Sequence, residues 1–220
     1  MCNMNGFQLP RIATPNDPLR LAVFISGSGS GMAALLSYQQ STESSHSTKL
    51  VFSNVQGVAG LSIAEECGVK TEVIELTSDM KRTTHEELIH ESLESHGIEA
   101  IILSGYMRIL SPAFVEKWEG RILNIHPSLL PDFPGAHAHR DALKAGAKKS
   151  GCTVHFVDSG VDSGLIIAQK EVKIFSEDTV ETLQNRIKKL EHALYPFVID
   201  AFSEGRLEIV KGTEVIIHNL

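Results

Sequence analysis

Apolar runs and helix-like patterns alternate along most of this chain. Residues 21–25 (LAVFI) form the continuous apolar run expected of a strand buried on both faces. After a Gly/Ser-rich turn, residues 32–39 carry helical spacing, and the polar stretch 41–48 (STESSHST) predicts a loop. The alternation continues with a strand over 50–52, a short helix over 61–67 and a strand over 72–75. A helix over 84–95, with Glu and His on its wet face, precedes strands at 100–103 and 122–125. Strands alternating with helices predict an α/β fold, a mostly parallel twisted sheet with helices on both faces. The late segments differ. Residues 152–157 and 165–172 read as strands joined by the turn-rich DSGVDSG, which predicts antiparallel pairing. A long amphipathic helix over 178–202 and a terminal hairpin over 208–217 complete the pattern. With no internal repeat or linker, residues 20–220 read as a single domain behind a flexible leader, residues 1–19.

Composition narrows the function classes. The chain has 220 residues, 42% of them apolar, enough for a substantial core. Its formal net charge of −7 gives no bulk attraction to nucleic acid or to an anionic membrane surface. Local backbone donors still allow an anionic small-molecule substrate. Cys2, Cys67 and Cys152 are odd in number and form no CxxC pair, so neither a disulfide framework nor a zinc ribbon is expected. A reducing, cytoplasmic setting fits. The first 19 residues hold no apolar core of signal-peptide length, and no apolar run reaches the length of a membrane span.

Ligands of open parallel sheets sit beyond the carboxyl ends of the strands, and three segments put polar or glycine-rich residues there. In ISGSGSGM, residues 25–32, a Gly-rich turn leads from strand to helix, where backbone amides and the helix dipole bind phosphate. No Gly-Lys-Ser/Thr follows, so it is not an ATP-binding P-loop, and its spacing departs from a dinucleotide fingerprint. A plain tight turn is the alternative. The second segment is 104–108, and the third, NIHPS over 124–128, supplies an amide and an imidazole ahead of a Pro-rich loop. Chemistry at a carbonyl needs a donor where oxyanion charge develops and a group that moves protons near neutral pH. Asn124 and His126 offer both, although a loop histidine alone is more often structural. Asp158 and Asp162 in VDSGVDSG suit a turn, or one of them orients the histidine. His137 and His139 have the HxH spacing of a metal site, with His126 and His155 as further ligands. No cysteine and no HExxH accompany them, so no metal is expected.

With these pieces in order, the chain resembles the glycinamide ribonucleotide formyltransferases of purine biosynthesis over about residues 20–210. The motifs that carry the likeness are ISGSGSGMAAL, LSGYMRILSPAFV, ILNIHPSLLPDFPGAHAH, GCTVHFVDSGVDSG and LEHALYPFVI. The resemblance implies a Rossmann-like formyltransferase fold and transfer of a formyl group from 10-formyltetrahydrofolate to the amine of 5′-phosphoribosylglycinamide, with neither ATP nor metal. It implies Asn124, His126 and Asp162 as the catalytic trio, with Asp162 keeping His126 charged. Gly29, Ser30 and Gly31 match the substrate phosphate loop and Glu191 a ribose contact. Arg82, Met107, Arg108, Ile109, Leu110 and again Asn124 match positions that hold the formyl-folate. Thr153 and His155 are expected to line the site. The family usually has Asn where Gly31 stands and often Gly where Ser163 stands. A homodimer is compatible with the sequence.

Three other readings compete. Formyltetrahydrofolate hydrolases share the Asn-Ile-His and Asp pattern but lack a phosphate loop. Methionyl-tRNA formyltransferases need a basic RNA-binding domain. A folate- or nucleotide-binding module would not need Asn124, His126 and Asp162 together.

Overall fold

A computed structural model describes residues 7–218. The elements in chain order are β1 (Leu19–Ile25), α1 (Ser30–Ser41), β2 (His46–Ser53), α2 (Ala59–Glu66), β3 (Lys70–Val73), α3 (Arg82–Ser95), β4 (Ala100–Leu103) and α4 (Pro112–Lys117). They continue with β5 (Ile122–His126), α5 (Ala138–Lys144), β6 (Lys149–Phe156), β7 (Ile166–Lys173), α6 (Val180–Ser203), β8 (Leu207–Val210) and β9 (Glu214–Ile217). Strands β1 to β7 form one sheet in the order β3-β2-β1-β4-β5-β6-β7, and β8 and β9 form a separate hairpin. Pairing is parallel from β3 to β5 and antiparallel at β5–β6 and β6–β7, which agrees with the α/β reading and its late antiparallel strands.

Alternation along the central strands divides the core in two. Leu21, Val23 and Ile25 of β1 and Ala100 and Ile102 of β4 face one cluster, which holds Leu35 of α1 and Leu183, Ile187 and Val198 of α6. Ala22, Phe24, Ile101 and Leu103 face the other, with Ile89 and Leu93 of α3, Phe114 of α4 and Trp118. Successive side chains point to opposite faces, so an unbroken apolar run is what a sheet sandwiched between helices needs.

Two expectations need correction. Residues 7–18 were expected in a flexible leader, yet Phe7 stacks edge-on against Phe156 at 5.0 Å. The Gln8 amide donates to the Glu119 carbonyl at 3.2 Å, the Ala13 amide donates to the Ser203 carbonyl at 2.8 Å, and Ala13 is buried. Here the apolar side chains Phe7 and Ala13, spaced too far apart to show a period, find the core. The remainder of that leader, with Cys2, lies outside the described residues. The loop expected over 41–48 ends early, because His46, Ser47 and Thr48 pair with Leu19, Arg20 and Leu21 in β2. The polar run conceals this strand because His46 is buried by polar partners, Gln39 at 2.7 Å and Asp200 at 3.1 Å. No helix among the described residues is long and apolar enough to cross a membrane.

Chain direction reverses across the sheet between β1 and β4. From β1 the chain moves outward to β2 and β3, then returns to the other side of β1 for β4 and β5. Such a switch point opens a crevice at the carboxyl ends of the two strands. The Gly-rich turn follows β1 and Ser104 follows β4, so both lie there.

Candidate active site

Two adjoining cavities occupy this end of the sheet. One, of about 350 Å³, is lined by Asn124, His126, Asp162 and His155 together with Met107, Arg108, Ile109 and Leu110. The other, of about 310 Å³, is lined by residues 26–31, Ser104, His139, Lys188 and Glu191. Gly105, Met107, Ile125 and Pro127 line both.

β5 carries the amide and the imidazole of the cluster. Asn124 and His126 are two residues apart, so both project from the same face of the strand. The Asn124 amide nitrogen donates to His155 Nε2 at 3.1 Å and to Asp162 Oδ1 at 3.4 Å. Asp162 reaches them from the β6–β7 connection, with Oδ2 accepting the Gly135 amide at 2.8 Å and lying 3.3 Å from His126 Nδ1. Its backbone is left-handed, φ 51°, a conformation Asp tolerates better than most residues. Ser163, the family departure beside it, turns away and donates to Asp158 at 2.9 Å.

The charge state of His126 departs from expectation. Its Nε2 donates to the Phe133 carbonyl at 2.9 Å while Nδ1 faces Asp162. Both neighbours are acceptors, so satisfying both at once requires the imidazolium. Burial nevertheless outweighs the Phe133 bond and the Asp162 charge, and, with His155 acting in the same sense as burial, holds the His126 pKa below its ordinary value. Asp162 therefore does not hold His126 charged near neutral pH. Burial raises the Asp162 carboxyl, but His155, the Gly135 amide and the His126 charge together leave it below the usual carboxylate range.

The Pro-rich loop is fixed from below. Thr153, expected in the lining, is fully buried beneath it. Its hydroxyl donates to the Ser128 carbonyl at 2.7 Å and accepts from the Leu130 amide at 3.0 Å and from Gln169 Nε2 at 2.8 Å. β6 pairs antiparallel with β5 and sets Thr153 opposite His126, at the start of that loop. Arg82 lies outside the cavity lining as well. It pairs with Glu86 at 3.2 Å and donates to the Ile109 carbonyl at 2.5 Å, bracing the 107–110 segment from α3. Met107 and Ile109 are exposed, 68% and 63%, and offer apolar surface.

In the second cavity, Gly29 has φ 68° and caps α1 with no side-chain hydrogen bond, so the first amides of α1 face the cavity without a side-chain cap. A Cβ on Gly29 would lie 2.8 Å from the Gly60 Cα, which makes glycine a requirement there. From α6, Gln184, Lys188, Glu191 and Tyr195 share one helical face into the cavity. Burial raises the Glu191 carboxyl to about 7, Lys188 opposing it, and that carboxylate accepts no hydrogen bond from a described residue. The Tyr195 hydroxyl lies 2.9 Å from both the Leu103 and Leu123 carbonyls, tying α6 to the ends of β4 and β5. Of the histidines weighed as metal ligands, His126 and His155 line the first cavity and His139 the second. Among the described residues no group of three or more His, Cys, Asp or Glu side chains is placed to hold a metal ion.

The sequence reading missed Gln184 and Lys188, weighed His139 only as a metal ligand, and took Ser104 only as the start of the 104–108 segment. The i, i+4, i+7, i+11 spacing of Gln184, Lys188, Glu191 and Tyr195 was a usable signal for the helix face. Ser104 gave none beyond its place after a buried strand.

The open α/β sheet thus carries an Asn-His-Asp cluster and a helix-capping glycine turn at its switch point. The formyl transferase family model matches residues 19–199, and the chain belongs to that family. It is 40% identical over 192 residues to phosphoribosylglycinamide formyltransferase of Escherichia coli, covering 87% of this chain and 90% of that protein. It is 45% identical over 197 residues to the trifunctional purine biosynthetic protein adenosine-3 of Gallus gallus, covering 90% of this chain but only 20% of that protein. The chain thus spans between about a seventh and a fifth of the multifunctional relatives it matches. Glycinamide ribonucleotide transformylase 1 of Symbiobacterium toebii superposes with a TM-score of 0.88 at 40% identity, covering 92% of this chain and 95% of that one.

Proposed function

We propose that this chain transfers the formyl group of 10-formyltetrahydrofolate to the amine of 5′-phosphoribosylglycinamide, a step of de novo purine synthesis. The observation that carries the reading is the shared wall between the two cavities. Asn124, His126 and Asp162 stand in the one that suits a folate, beside the one that offers helix amides to a phosphate. A hydrolase would have no use for the second cavity.

The acceptor resembles an α-amino group, whose pKa is about 7.7 to 8, so a useful fraction is neutral without a strong base. The amine nitrogen attacks the formyl carbon, forming a C–N bond and pushing the carbonyl electrons onto oxygen. Asn124 donates to that oxyanion by exchanging its longer contact, the 3.4 Å one to Asp162. The ammonium then loses a proton toward Asp162 and His126 Nδ1. The neutral ring, held by Phe133 at Nε2, has Nδ1 free to accept. The imidazolium so formed finds acceptors at both nitrogens, and the proton passes on to the departing folate nitrogen as its bond to the formyl carbon breaks. Thr153, Gln169 and Arg82 hold the surrounding segments so that little reorganisation is needed.

Gly29, Ser30 and Gly31 take the 5′-phosphate, Glu191 the ribose, and residues 107–110 the folate. The enzyme handles two small molecules, in a cytoplasmic setting, and uses neither ATP nor metal. Size-exclusion chromatography distinguishes monomer from homodimer. Purified protein is given 10-formyltetrahydrofolate with and without the ribonucleotide, and formyl-amide product and free formate are both quantified. Formate release at the same rate without acceptor would favour the hydrolase reading and overturn this one.

A further inference from the structure

Ser104 stands at the end of β4, where β4 and β1 part. Its side chain is about nine-tenths buried, and its amide donates to the Phe24 carbonyl at 2.9 Å. Its hydroxyl makes no hydrogen bond to any described residue. That hydroxyl opens into the cavity it lines with the Gly-rich turn, Lys188 and Glu191, where its donor is free for a ligand. Its direction follows from its neighbour. A Cβ built on Gly31, in the first turn of α1, would lie 2.6 Å from Ser104 Oγ. The hydroxyl thus occupies the space where a side chain at position 31 would begin, beside the uncapped amides of that turn. Gly31 is helical and needs no glycine for its backbone angles. A side chain there would have to displace the hydroxyl across the crevice.

We propose that Ser104 is a substrate-positioning residue: its hydroxyl donates to the 5′-phosphate of the acceptor from the β4 side of the crevice, in place of a side chain at position 31. Gly31 and Ser104 are then a matched pair, one vacating the space that the other fills. The inference rests on the phosphate-loop reading above. It makes the phosphate pocket of this chain dependent on two strands: backbone donors follow β1 and one hydroxyl follows β4.

Three steady-state measurements test it, on Ser104→Ala, Gly31→Ala and the double variant, each with the ribonucleotide and with its dephosphorylated form. Ser104→Ala should raise KM for the ribonucleotide roughly tenfold, the worth of one hydrogen bond to a charged acceptor, with kcat little changed and no effect on the dephosphorylated acceptor. Gly31→Ala should do the same by displacing the hydroxyl, and the double variant should be no worse than Ser104→Ala. An unchanged KM in Ser104→Ala, or an equal rise with both acceptors, overturns the proposal. So does an additive double variant. If the unmodified protein itself binds both acceptors equally, the phosphate-loop reading has failed, and with it this inference. Thermal melting of each variant separates misfolding from these outcomes, and Gly31→Ala, which improves helix propensity, should melt no lower than the parent.

Discussion

Replacing Glu191 by Gln should stabilise the protein and flatten the pH dependence of acceptor binding together. Its carboxyl lies in the second cavity with no hydrogen-bond donor among the described residues, and burial raises it from 4.5 to about 7. A group raised in the folded state keeps its proton where the unfolded chain has released it. Stability from this group is therefore complete below about pH 4.5 and is lost as pH rises to about 7. Holding the carboxyl at about 7 instead of 4.5 corresponds to about 3 kcal/mol. Glu191→Gln removes that penalty, so urea unfolding near pH 8 should show a gain of up to about 3 kcal/mol. Near pH 4 the two proteins should unfold alike.

The same ionisation governs binding if ribose hydroxyls donate to the carboxylate. With a pKa of about 7, roughly nine-tenths of Glu191 is ionised near pH 8 and one-tenth near pH 6. KM for the ribonucleotide should then rise about tenfold between those values in the parent, over and above any change seen in the Gln variant. The variant serves as baseline because the acceptor's own amine titrates in both. Equal unfolding free energies near pH 8 would refute the burial argument. Parallel KM profiles would refute the ribose contact.

Other perturbations probe different parts of the site. Asp162→Asn removes the negative charge 3.3 Å from His126 Nδ1, so kcat measured by single turnover should fall on the order of 10³-fold while a folate analogue still binds by titration; turnover within a few-fold of the parent excludes the proposed relay. Thr153→Val keeps the shape but leaves the Leu130 amide without its acceptor, which should cost about 1–3 kcal/mol in urea unfolding and lower kcat through the loosened loop. Gly29→Val meets the Gly60 Cα and needs a left-handed backbone at φ 68°, so acceptor KM should rise steeply while formyl-folate binding, followed by fluorescence, stays put.

The class of fold was legible because its signal is local. Runs such as LAVFI and AIIL cannot be buried on both faces except in a helix-covered sheet, and DSGVDSG announced the return strand. What was not legible was burial achieved by polar partners. His46 extends β2 into a stretch that reads as loop, because Gln39, 7 positions away in sequence, hydrogen-bonds Nδ1 and the Asp200 carboxylate, 154 positions away, lies 3.1 Å from Nε2. Thr153 differs in the opposite direction: the family resemblance implied site lining, and its hydrogen bonds to Ser128 and Leu130 instead place its hydroxyl under the loop. Ser104 is the extreme case. Its partner space is defined by the missing side chain of Gly31, 73 positions earlier, and no pattern along the chain couples the two.

The geometry at His126 also supplies what the proposed relay requires of the ring: burial and two acceptors. A ring in water with Phe133 and Asp162 as neighbours would be charged in the resting protein and unable to take a proton from the attacking amine. A buried ring without those acceptors would stay neutral and have no stable charged form to pass the proton onward. Burial lowers the pKa, the Phe133 carbonyl and the Asp162 carboxylate raise it, and the opposed terms bring the two protonation states closer in energy. The acceptors come from loops on either side of β5, one held by Thr153 and Gln169, the other by the left-handed turn at Asp162. The strand supplies the direction of the ring, and the fixed loops supply its acid–base balance.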